Sequence, residues 1–144
     1  MNKNKKCMMC HKEFTPNSGV QKYCKECLKI NVTTYYTYRN MIYRCYKKTC
    51  KSYKSYGAKG IVVCQEWQGE EGYKNFLKDM GFKPSLCYHL HRKDNNLIYS
   101  KDTCIWIPKD IHYKISNLSR NRIFSNIRGS SETLDILQLN KIFN

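Results

Sequence analysis

Two groups of residues stand out for the chemistry that their types and spacing allow. The first is Cys7-Met8-Met9-Cys10, followed by Cys24-Lys25-Glu26-Cys27. Each Cys-x-x-Cys pair sets two sulfurs on one side of a tight turn, and two such knuckles supply four thiolates to one tetrahedral zinc ion. Four cysteines leave no coordination position open to water, so the spacing predicts a structural zinc. Lys5, Lys6, Lys12, Lys22 and Lys25 surround the pairs and offset their charge, and His11 stands beside the first knuckle as a surplus ligand. The second group is Tyr88-His89-Leu90-His91-Arg92-Lys93-Asp94-Asn95-Asn96, with His112 further along. Three of the chain's four histidines fall in this group. Imidazoles bind metals and exchange protons near neutral pH, and a guanidinium grips phosphate oxygens in pairs.

The elements that must position these residues follow from their neighbours. His89 and His91 are two apart, so on a strand they share one face. Asp94-Asn95-Asn96 is a turn signal, Cys104 to Ile107 reads as the returning strand, and Pro108 allows a helix start with His112 near its first turns. This strand, loop, strand, helix frame can hold one divalent metal between His91 and His112, where it would stabilise charge on a phosphodiester. Lys114, Asn117, Arg120, Asn121, Arg122 and Arg128 follow with no acid between them, as phosphate clamps. Upstream, residues Thr33 to Lys54 read as a helix, Ile61 to Cys64 as a short strand, and Gly72 to Met80 as a helix ended by Gly81. Downstream, Ser130 or Ser131 caps a last helix carrying Leu134, Leu137 and Leu139. The chain thus divides into a zinc-binding module (1–30), a main domain (31–128) and a helical tail (129–144).

Charge narrows the partner. The 144-residue chain carries a net charge of +15. Residues 1–59 hold 14 basic and 2 acidic side chains, residues 60–100 hold 5 of each, and residues 101–144 hold 7 and 4. A basic front half interleaved with many of the twelve tyrosines suits nucleic acid, because Lys and Arg release counterions from phosphates and tyrosines stack or hydrogen-bond. Met1 to Lys6 are polar and basic with no apolar run behind them, and no stretch approaches a membrane span of about 20 apolar residues. A cytoplasmic protein with no membrane partner is expected. There, nine cysteines, an odd number, are better suited to metal than to a disulfide framework.

Several blocks resemble phage-type HNH (ββα-metal) endonucleases over roughly residues 41–117. They are Arg44-Cys45; Ser52 to Trp67, which includes Tyr56-Gly57-Ala58-Lys59-Gly60-Ile61-Val62-Val63-Cys64; Phe76 to Pro84; His91 to Asn95; Tyr99-Ser100; and Cys104-Ile105-Trp106. With the cysteine-rich front end, the chain also resembles PacI-like restriction endonucleases. The resemblance implies an α+β protein with a small ββα-metal (HNH) fold behind an N-terminal four-cysteine zinc module. It implies a site-specific, metal-dependent DNA endonuclease of restriction, homing or phage type, acting on double-stranded DNA as a homodimer with 129–144 as a contact. His91 and His112 would be the metal ligands, in place of the family's Asp and Asn. With neutral ligands the site favours an ion softer than Mg²⁺, such as Mn²⁺, Zn²⁺, Co²⁺ or Ni²⁺.

Arg92 stands where typical members carry the general-base histidine, and Thr103 where they carry a supporting Asn. An arginine cannot take a proton from water, so Arg92 becomes a phosphate clamp. The base is then His89 or, as in PacI-like enzymes, a tyrosine such as Tyr53 or Tyr56. In another arrangement His91 is the base, with Asp94 and His112 on the metal. Cys45, Cys64 and Cys104 coincide with family cysteines and, with Cys50 or Cys87, would make a second zinc site, the alternative being buried unliganded thiols. Two other readings remain: a zinc-containing DNA-binding protein without catalysis, and an RNA-binding or ribosome-associated zinc protein.

Overall fold

The computed structural model describes residues 3–94 and 98–125, with side chains described as far as residue 118. Two two-stranded antiparallel sheets and three α-helices make up a small α+β fold. Strands β1 (Lys5–Lys6) and β2 (Glu13–Phe14) form a short hairpin around the first cysteine knuckle, pairing Lys5 with Phe14 and Lys6 with Glu13. Helix α1 (Lys25–Tyr46) follows. Short 3₁₀ turns at Lys51–Ser55, Gly57–Lys59 and Gln65–Trp67 then lead to α2 (Gly72–Met80). Strands β3 (Tyr88–Arg92) and β4 (Cys104–Pro108) form the second hairpin, and α3 (Lys109–Ser125) closes it by packing on both strands.

Helix α1 lies eight residues upstream of the expected position at both ends, spanning Lys25–Tyr46 instead of Thr33 to Lys54. The second knuckle is itself the helix start: Cys24 is the N-cap and Cys27 sits in the first turn. A thiolate there faces the positive end of the helix dipole, so ligand placement and helix initiation share the same residues. At the other end, Lys47 turns extended and the chain enters the 3₁₀ turns. Gly57 is required in that corner, because a Cβ there would run into the Cys45 carbonyl oxygen and the Tyr53 ring. The expected strand over Ile61 to Cys64 is reduced to one bridge between Val63 and Tyr99. The Tyr46 hydroxyl occupies Val63 instead, accepting from its N–H at 3.0 Å and donating to its carbonyl at 3.2 Å. Helix α2 ends at Gly81, with φ 66°, as its sequence predicts.

The core joins three parts of the chain. Tyr38, Met41 and Cys45 on α1 pack with Val63, Trp67, Phe76, Tyr99 and Cys104. Trp67 and Phe76 are fully buried and meet edge to face at 5.0 Å. Three of the core aromatics have their polar ends hydrogen-bonded inside the fold. Tyr38 donates to the Trp67 carbonyl at 2.8 Å, Trp67 to Asp79 at 2.8 Å, and Trp106 to the Met80 carbonyl at 3.0 Å. These bonds fix α1, α2 and β4 relative to one another, and so fix the frame on which the histidines sit. No helix among the described residues is long and apolar enough to cross a membrane.

Candidate functional site: a cysteine cluster and a histidine cleft

The four knuckle cysteines converge. The sulfurs of Cys7, Cys10, Cys24 and Cys27 all lie within 4.8 Å of one another, and the Cys10 and Cys24 sulfurs are 3.8 Å apart. A tetrahedron with Zn–S bonds of about 2.3 Å has sulfur–sulfur edges of about 3.8 Å. The knuckle backbone already serves the ligands, since the Cys24 N–H donates to the Cys7 sulfur at 3.3 Å. His11 adopts φ 60°, the left-handed turn that lets the chain leave the first knuckle, which makes it a turn residue of the knuckle.

The electrostatics ask for a cation. Burial pushes the Cys7 thiol up, but hydrogen bonds from the backbone of Cys10, Cys24 and Met9 outweigh it and bring it down to about 6. Burial raises the Cys27 thiol strongly, and the neighbouring cysteine sulfurs raise it further. Four sulfurs this close cannot all be thiolates unless a positive ion sits among them. The cluster therefore fits a structural metal such as zinc.

The histidines lie on a separate cleft of about 380 Å³. Hairpin β3–β4 presents His89 and His91, paired across the sheet with Ile107 and Ile105. Helix α3 brings His112, in its first turn, over the same hairpin. The His112 ring lies 5.2 Å from that of His89 and 5.5 Å from that of His91, edge to face in both cases. Two imidazoles 21 positions apart in the chain thus meet, as the sequence predicts. Burial lowers the pKa of all three, and nearby cations lower them further. For His91, at about 4, these are His112 and Arg92; for His112 the cation is Arg44; and for His89 they are His112, Lys83 and Lys109. The His112 Nδ1 is buried without a hydrogen-bond partner among the described residues. An imidazole nitrogen left so is costly unless something binds it, and a metal ion between His91 and His112 would do so.

The rest of the cleft is basic. Arg92 is 8% exposed, and its guanidinium lies 4.7 Å from the Tyr99 ring centroid and 5.4 Å from that of Tyr56. Arg44, from α1, covers the Tyr56 ring at 4.9 Å. Tyr56 therefore sits between two guanidiniums and stacks loosely on Tyr99 at 6.4 Å. Thr37 and Asn40 of α1, together with Lys83, complete the wall, and no carboxylate among the described residues lines the cleft. Such a pocket matches a phosphodiester in charge and in hydrogen-bond donors.

Four of these wall residues, Thr37, Asn40, Arg44 and Lys83, do not emerge as site residues from the sequence. Arg44 is the most accessible signal, because it opens the Arg44-Cys45 block. Other expected site residues lie elsewhere. Tyr53 packs near Gly57 and the Cys45 carbonyl and does not line the cleft, whereas Tyr56 does. Asp94 is exposed beyond β3 and does not line the cleft. Thr103 serves the hairpin loop, its hydroxyl accepting from the Ser100 N–H at 2.9 Å.

Of the two alternatives for Cys45, Cys64 and Cys104, with Cys50 or Cys87, a second zinc site or buried unliganded thiols, the packing favours the second. Among the described residues the only group of three or more metal-ligating side chains gathered within 4.8 Å is the knuckle cluster. Cys45 and Cys104 are instead packed in the aromatic core, with Cys64 against it, and burial raises all three thiols. They are small apolar packing groups here. Lys114 and Asn117 are exposed on α3, and Arg120 and Arg122 lie further along it. Arg128, the capped last helix and the 129–144 contact lie outside the described residues. Comparison with protein-family models, curated proteins and solved structures finds no match.

Proposed function

We propose that the protein is a metal-dependent DNA endonuclease of the HNH (ββα-metal) type, stabilised by a structural zinc. The observation that carries this reading is the meeting of His91 from β3 and His112 from α3 across a cleft that also holds Arg92 and Arg44 and, among the described residues, no carboxylate. His91 and His112 would hold one divalent ion. When bound, the ion supplies Lewis-acid charge at the scissile phosphate and its leaving oxygen. Arg92 and Arg44 grip the non-bridging oxygens, each guanidinium held in place against Tyr56. Water attacks phosphorus, its proton passes to a base at the cleft, and the bond from phosphorus to the leaving oxygen breaks. His89 and Tyr56 both line the cleft and are the two candidates to take that proton. The lysines and arginines of α3 would contact the flanking strand, and a symmetric target would call for a homodimer.

A second reading is a zinc-containing DNA-binding protein without catalysis. It is favoured by one observation, that the described residues of the cleft offer imidazoles but no anionic ligand to a metal. Incubating long, varied duplex DNA with the zinc-loaded protein and Mg²⁺, Mn²⁺, Co²⁺ or Ni²⁺, then sequencing the ends, separates the two. The nuclease reading expects ends at a defined sequence, stronger with the softer ions. DNA that is bound and never cut under any ion selects the second reading.

A further inference from the structure

The outer face of α1 carries a feature that the cleft does not use. Tyr36, Arg39, Tyr43 and Lys47 recur at steps of three and four, so they stand on one side of the helix. They interlock. The Arg39 guanidinium lies 4.8 Å from the Tyr36 ring centroid and 5.4 Å from that of Tyr43, and the Lys47 ammonium lies 4.8 Å from Tyr43. Cations held flat on rings lose little freedom when they meet an anion. Tyr36 and Tyr43 are nevertheless exposed, and so is Lys47. The Arg39 Nε is buried without a hydrogen-bond partner among the described residues, beside a hollow of about 230 Å³ lined by Tyr38, Ile42, Tyr46, Gln68 and Gly69. A guanidinium nitrogen in that position lacks an acceptor.

We infer that this face of α1 is a docking track for the phosphodiester backbone of duplex DNA, continuing the strand that enters the histidine cleft. Three observations select this occupant. Between Glu26 and Glu66 the sequence has eight Lys and Arg and no Asp or Glu, so beyond its first turn α1 offers a polyanion cations and no carboxylate of its own. Asn40 and Arg44, on the same helix and one step round it, already line the cleft, so one surface runs from site to track. The stripe covers roughly 16 Å of helix, at about 1.5 Å per residue, enough to follow several successive phosphates. This inference rests on the nuclease reading and adds to it the side from which the DNA approaches.

The test is the salt dependence of binding by the full, zinc-loaded chain to a linear duplex of about three helical turns. Each lost phosphate contact lowers the slope of log affinity against log salt by about 0.9. Replacing Arg39→Gln with Lys47→Gln is expected to reduce the slope by about 1.8 and the affinity about tenfold near physiological salt. Lys47→Gln alone, an exposed change beyond the helix end, is expected to take about half of that and keeps the test valid if the double variant does not fold. Lys78→Gln with Lys101→Gln removes the same charge from a different wall, beside Glu66, Asp79 and Asp102, and should leave the slope in place. An unchanged slope in both α1 variants, with wild-type cutting retained, overturns the track and leaves the nuclease reading intact. Slopes that fall equally in the Lys78 and Lys101 control also overturn it. Binding of the wild type to phosphatidylserine vesicles in preference to duplex DNA overturns both.

Discussion

At the scale of residues, the cleft assigns distinct work to side chains of similar charge. Arg92 is almost buried against two tyrosine rings, and a planar guanidinium fills that slot in a way that an ammonium does not. Arg92→Lys is therefore expected to lower the cleavage rate between about tenfold and a hundredfold while keeping the net charge; initial rates of plasmid nicking measure this, and wild-type rates would remove Arg92 from the site. The proton acceptor is decided the same way. His89→Ala should cost about a hundredfold or more if its imidazole is the general base, with Tyr56→Phe close to wild type, and the opposite ranking assigns the role to Tyr56. The histidines and Arg92 were legible in the sequence because they cluster within a few positions or sit at a helix start. Arg44, Asn40, Thr37 and Lys83 were not, because only the tertiary packing of α1 against the β3–β4 hairpin brings them to the same wall.

At the scale of elements, the local signals that succeeded were those backed by a turn or a stop. Pro108 stands at the junction of β4 and α3, and Gly81 stops α2, so these elements fall close to where they are predicted. Two elements misread from sequence have separate physical reasons. Helix α1 starts inside the cysteine knuckle, with Cys24 as its N-cap and Cys27 in its first turn, and a reading that ends a zinc module at residue 30 cannot place a helix across that boundary. Ile61 to Cys64 has strand composition, but the Tyr46 hydroxyl takes the Val63 backbone and leaves one bridge. The corner between α1 and this segment depends on Gly57. Gly57→Ala is expected to destabilise the fold by about 2–3 kcal/mol, as overpacking does in a core. Chemical denaturation of the zinc-loaded protein measures the loss, and a change under about 0.5 kcal/mol would show that the corner relaxes freely.

At the scale of the whole molecule, the cysteine cluster and the histidine cleft are joined by α1, which supplies Cys27 at one end and Arg44 near the other. A metal held by the cluster would fix the start of the helix that walls the cleft. Removing it with a strong chelator is expected to reduce helical circular dichroism and to lower the melting temperature, and Cys27→Ser should do the same without chelator. Elemental analysis after exhaustive dialysis should give one zinc per chain for the wild type and none for Cys27→Ser. Two tightly held zinc ions in the wild type would restore a second site among Cys45, Cys64 and Cys104.

In the proposed reaction His91 and His112 act together on one ion at a phosphodiester. The most direct measurement of this is nicking of supercoiled plasmid with Mn²⁺ by the wild type and by His112→Ala, alongside the DNA affinity of each. Metal-dependent nicking by the wild type is expected, with a loss of at least about a hundredfold in the variant and affinities that stay within a few-fold of each other. Nicking by His112→Ala at the wild-type rate, or a wild type that binds the plasmid and leaves it intact, would contradict it.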